Sequence, residues 1–180
     1  VVVYLPLFLR AALHISMEVA GAALLAATLP MLLVPLIGGR LATHWGWRRL
    51  FTIAFGLMGI GDVWLVIAAL SDGPQMRLAA TVAGMATIGV GAALANPQLS
   101  GVVLALAPPR QAGMASAVTF VVRQAGLAIS IAALGLTLGA VDAAAEFAPP
   151  FALAALVALL GAIAALVLLP AKVAQRSKPS

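Results

Sequence analysis

Five apolar runs divide this chain, at 17–37, 50–70, 78–99, 114–141 and 151–169, and a shorter one opens it at 1–12. A helix rises 1.5 Å per residue, so about 20 apolar residues cross the roughly 30 Å hydrocarbon core of a bilayer. None of the runs alternates apolar and polar residues with a period of two, which argues against a membrane barrel. The pattern predicts an all-α integral membrane protein: a six-helix bundle over 1–171, its first helix truncated, followed by a polar cytoplasmic tail at 172–180. Composition agrees, because 64% of residues are hydrophobic and only 8% charged, against about 25% charged in soluble domains.

The charges that remain are placed rather than scattered. The formal net charge is +5, which in a soluble protein would suggest nucleic acid. Here the cations cluster beside apolar runs, so the implied partner is the lipid bilayer and not nucleic acid. Arg40, Arg48 and Arg49 lie between the second and third runs, Arg110 between the fourth and fifth, and Lys172, Arg176 and Lys178 after the sixth. The intervening connections carry Glu18, then Asp72 with Arg77, then Asp142 with Glu146. Lys and Arg mark the cytoplasmic side, so both basic loops and the C-terminus are expected inside; only Arg10 departs from this alternation. Tyr4 and Trp64 are expected as interface anchors, and Trp45 and Trp47 sit at the inner interface.

Several chemistries are excluded. The chain has no cysteine and two histidines in separate loops, which gives no disulfide, thiol nucleophile or metal constellation. No cluster of His, Asp and Glu supports an enzyme. Val1 lies within an apolar run without a basic flank, unlike a signal peptide; the expectation is a chain cut within a helix and belonging to a longer protein. Turn signals fall between runs at Ser71-Asp72-Gly73-Pro74, while Pro108-Pro109 and Pro149-Pro150 precede helices and Pro170 ends the last.

The segment Gly39-Arg40-Leu41-Ala42-Thr43-His44-Trp45-Gly46-Trp47-Arg48-Arg49 resembles the loop motif of the major facilitator superfamily. Pro108-Pro109-Arg110-Gln111-Ala112-Gly113, Arg123-Gln124-Ala125-Gly126, Gly89-Val90-Gly91 with Asn96-Pro97, and Tyr4-Leu5-Pro6 resemble its fourteen-helix drug:proton antiporter branch. The resemblance implies one half of a major-facilitator fold, the C-terminal bundle of a multidrug efflux transporter. Its partner would be an N-terminal half of six to eight helices on the same polypeptide. It further implies a multi-pass protein of a plasma membrane, the bacterial inner membrane, that moves a hydrophobic or amphipathic small molecule by alternating access. A proton gradient would drive it, with no cofactor. Thr43 stands where the motif has a carboxylate, His44 where it has a cation, and Phe120 where relatives often carry Asn. In the family that carboxylate helps latch the cytoplasmic face against a helix N-terminus, an interaction worth about 0.3–1 kcal/mol. Thr43 supplies no charge, so Gly39, Arg40, Leu41, Thr43, Gly46, Arg48 and Arg49 form a degenerate copy of the motif.

Arg123 is the outstanding candidate for a transport pathway or gate. It lies roughly 16 Å along its run, close to the midplane, where an arginine is costly and faces a cavity or a partner. Ser116, Thr119, Gly126, Ser130 and Thr137 share its helical face, and Gln124 adjoins it. The competing reading is structural: small polar residues as packing glue, and Arg123 bonded to carbonyls of neighbouring helices. Asp62 is the only acid deep inside a run, Glu18 lying at the very edge of its own, and hence a possible proton site. Its place near the outer end, beside Trp64, lets it snorkel to solvent, which favours a structural role. Pro97 removes a backbone donor and predicts a kink near the inner mouth, flanked by Asn96 and Gln98. Gly84, Thr87, Gly91 and Ala95 give the same run a small face suited to close packing. Two other functions stay open: a metabolite or sugar carrier of the same superfamily, and a non-transporting membrane scaffold subunit.

Overall fold

The computed structural model describes residues 7–8, 17–137 and 144–169; side chains at 17–24, 36–45 and 144 are outside the description. The chain is helical nearly throughout these residues. Helix α1 spans Met17–Leu70, α2 Pro74–Leu106, α3 Ala112–Leu136 and α4 Ala148–Leu168, with single 3-10 turns at Pro109–Gln111 and Ala144–Phe147. Among the described residues four helical stretches are long and apolar enough to cross a bilayer: Gly46–Leu70, Pro74–Leu106, Pro109–Leu136 and Ala145–Leu168. A shorter apolar helical stretch lies at Leu25–Pro35. Most of the expected first run, Tyr4, Arg10, residues 138–143 and the tail at 172–180 lie outside the described residues.

Residues 38–49, expected as a loop, are helical on both sides of one break. Gly46 adopts φ 76° and ψ 155°, a region essentially closed to residues with a Cβ. No proline falls among these twelve residues, so a single glycine makes the turn that a longer loop was expected to make. Pro30 and Pro35 lie inside the N-terminal arm of α1; membrane helices tolerate such breaks in the backbone ladder when neighbours satisfy the freed groups.

Helix α1 packs most extensively against α2, and next against α4. Backbones meet where side chains are absent. A Cβ on Gly61 would lie 2.7 Å from the Gly84 carbonyl oxygen, and one on Gly91 would lie 2.6 Å from that of Ala54. Gly89 abuts the Ala27 carbonyl on the N-terminal arm. The small face expected around Gly84 and Gly91 is therefore a seam, and van der Waals contact along such seams drives helix association in lipid.

Two apolar ends close the bundle. At one end Phe8, Leu65, Met85, Phe147 and Phe151 are fully buried together, and Phe8 meets the rings of Phe147 and Phe151 edge-on at 5.3 Å each. At the other, Phe51, Val102 and Ala165 pack with Trp47 and Leu169. The join between α1 and α2 is fastened by Arg77, whose Nε and Nη2 both donate to the Ser71 carbonyl at 3.2 and 2.6 Å. A cation there suits the negative end of the α1 dipole. Pro74 begins α2, where its missing N–H costs nothing. Pro149 and Pro150 lie within the first turn of α4 rather than ahead of it.

Helix α2 runs to Leu106, past the apolar run that was expected to end at residue 99. Pro97 sits in its interior without ending it. Asn96 is consequently about ten residues, or roughly 15 Å, from the helix end. Helix α3 stands apart: every residue from 120 to 130 is exposed.

Candidate functional site

Helix α3 turns back from α2 through the short connection 107–111. Arg123 lies about as far after that connection as Asn96 lies before it. The antiparallel arrangement brings them level, and Arg123 Nη2 donates to Asn96 Oδ1 at 2.9 Å. Leu99, Ser100 and Val103 of α2 and Ser116, Thr119, Phe120 and Arg123 of α3 line a cleft of about 140 Å³ beneath this bridge.

The cleft joins three residues singled out from sequence, Arg123, Ser116 and Thr119, and Asn96, also singled out, is tied to it through Arg123. Thr119 turns its hydroxyl back to the Ala115 carbonyl at 2.7 Å, the habit of a threonine in a helix interior. Gln124 is exposed on α3 outside the cleft lining. Ser130 lies further along and donates to the Leu127 carbonyl at 2.8 Å; Thr137 does the same to Leu134 at 2.7 Å. The polar stripe expected along α3 thus divides: Ser116, Thr119 and Arg123 line the cleft, while Ser130 and Thr137 lie beyond it. Ser100 was missed. Its signal was present in the sequence, since it lies four residues after Asn96 and so on the same helical face.

Electrostatically the site is one-sided. Arginine keeps its charge at every accessible pH, and neither α2 nor α3 contains an Asp or Glu. A neutral amide oxygen occupies one of five guanidinium donors. A side chain with that charge at that depth is costly against lipid, so this face turns to a wet cavity or to other protein.

The remaining candidates sit elsewhere. Asp62 is 5% exposed, contrary to the expectation that its carboxyl meets solvent. The adjacent Gly61 draws α1 onto α2 at Gly84, and Asp62 Oδ1 has no hydrogen-bond partner among the described residues. Pro97 is exposed and Gln98 half-buried on α2. Gly39, Arg40, Leu41 and Thr43 fall on the helical backbone of α1, with side chains outside the description. Beyond the break at Gly46, Arg48 is half-buried and Arg49 exposed, and the Arg48 carbonyl accepts the Thr52 hydroxyl at 2.9 Å. Among the described residues no group of three His, Cys, Asp or Glu converges on a metal position.

No curated protein and no solved structure gives a significant match. Apolar membrane-length helices and glycine seams are what a transporter bundle requires, and over residues 1–180 the sequence matches the Major Facilitator Superfamily: the chain belongs to that family of membrane transporters.

Proposed function

We propose that this chain forms the C-terminal six-helix bundle of a proton-coupled efflux transporter for hydrophobic or amphipathic small molecules. It would work with an N-terminal bundle of six to eight helices in the same polypeptide, in the bacterial inner membrane with its C-terminus in the cytoplasm. In such proteins two bundles rock about a site near the bilayer midplane. The observation that carries this reading is the Arg123 cleft. Arg123 lies roughly 16 Å along α3 from its start at Ala112, on the helix that, among the described ones, packs least against the others, and a substrate held between two bundles would meet such a face. The drug:proton branch is supported by the sequence segments around Arg110 and Arg123, and by the apolar partners Leu99, Val103 and Phe120 in the lining.

The test is efflux by the full transporter carrying Arg123→Ala, with membrane insertion checked by surface labelling. Efflux should fall while insertion is retained; unchanged efflux removes Arg123 from the pathway. Asn96→Ala separates function from packing. Hydrogen bonds between membrane helices average about 0.6 kcal/mol, so its thermal stability should scarcely change while efflux drops.

A further inference from the structure

We infer that the Arg123 cleft binds an oxyanion, the carboxylate of an amphipathic organic acid, and that this transporter therefore selects anionic over cationic substrates. The inference rests on the transport reading above and narrows its substrate class. A permanent positive charge lies at mid-depth with no counter-ion on either helix that builds the cleft. Among the described residues Asn96 is the group bonded to it, and Asn96 is neutral. The remaining guanidinium N–H groups form a planar fork that matches a carboxylate's two oxygens. The hydroxyls of Ser100 and Ser116, on opposite walls, have no hydrogen-bond partner among the described residues and add two donors suited to the same anion.

Size and lining define the rest of the ligand. About 140 Å³ is small beside the roughly 300–1,000 Å³ of sites that enclose a whole drug-sized molecule. It suits a head group, with Leu99, Val103 and Phe120 taking the first carbons of an apolar tail. A cationic amphipath fits poorly, since its charge would lie beside Arg123 in a medium that screens little.

The experiment compares two radiolabelled amphipaths of similar length in inverted membrane vesicles containing the full transporter under an imposed pH gradient. N-octanoylglycine is the anion and octanoylcholine the cation. The wild type is expected to accumulate the acid in preference to the cation. A charge-assisted contact of this kind corresponds to roughly a tenfold to hundredfold preference. Arg123→Gln should abolish the preference, and Arg123→Lys, which keeps the charge without the fork, should retain part of it. Asn96→Asp should also lower acid uptake, because a carboxylate fixed at 96 would occupy the guanidinium. Preferred uptake of octanoylcholine by the wild type would overturn the inference and leave the transport reading standing. An unchanged preference in Arg123→Gln would do the same, since the anion would then be recognised elsewhere. An equal loss of both substrates would show that Arg123 pairs with a carboxylate of the protein itself, again overturning it. Uptake of neither compound by correctly inserted wild-type protein would count against the amphipath-efflux reading, and the inference would fall with it.

Discussion

Gly61 and Gly84 face each other backbone to backbone across the α1–α2 seam. A Cβ on Gly61 would come within 2.7 Å of the Gly84 carbonyl oxygen, and one on Gly84 within 2.8 Å of the Gly61 oxygen. Neither obstacle is a flexible side-chain tip that can swing aside. Gly61→Ala or Gly84→Ala must therefore push the helices apart, and overpacking of this kind costs about 1–3 kcal/mol. Gly101, whose Cβ position has nothing within 4 Å, serves as the control. Thermal unfolding of the purified transporter in detergent should show a lowered midpoint for the seam variants. Gly101→Ala should show an unchanged or raised midpoint, since alanine outranks glycine in a helix by roughly 0.5–1 kcal/mol.

Gly46 carries a different kind of constraint, set by its own dihedrals rather than by a neighbour. At φ 76° and ψ 155°, a side chain meets strain of about 1–3 kcal/mol. Asparagine normally substitutes well at positive φ, but it does so in the left-handed helical region near ψ 45°. The prediction is that Gly46→Asn destabilises as much as Gly46→Ala. A rescue by Asn in the same unfolding measurement would mean that the break relaxes to an ordinary left-handed turn.

The sequence made the spans legible because the solvent is lipid: twenty apolar residues in a row have few alternatives in water. It made Arg123 conspicuous for the same reason, since a charge inside such a run needs an explanation. Its partner was harder to foresee. Asn96 is 27 residues away, and the pairing depends on α2 continuing through Pro97 to Leu106, which a local reading of proline as a kink near the helix end obscures. The break at Gly46 was blurred into a loop of twelve residues because Gly, Trp and Arg together look like a connection. Dihedral geometry at one residue decided the matter. The burial of Asp62 was misjudged because depth along a helix says nothing about which face a glycine seam will press against its neighbour.

That burial bears on Asp62 as a proton carrier. A coupling carboxylate must be reached by water from one side of the membrane and then from the other as the bundles rock. Asp62 is 5% exposed, beside the Gly61–Gly84 contact, and it is no part of the cleft lining. Opening it to either side would require rearranging the packing that buries it. The expectation is a structural role, in which shape and polarity count and ionisation does not. Asp62→Asn keeps the shape, so efflux measured across a series of external pH values should follow the wild-type profile. Asp62→Leu changes the polarity of the seam while keeping it filled, and it should alter thermal stability without moving that profile. A flattened pH profile in Asp62→Asn, with insertion and stability intact, would assign the proton to Asp62 and require that the packing around it open during the cycle.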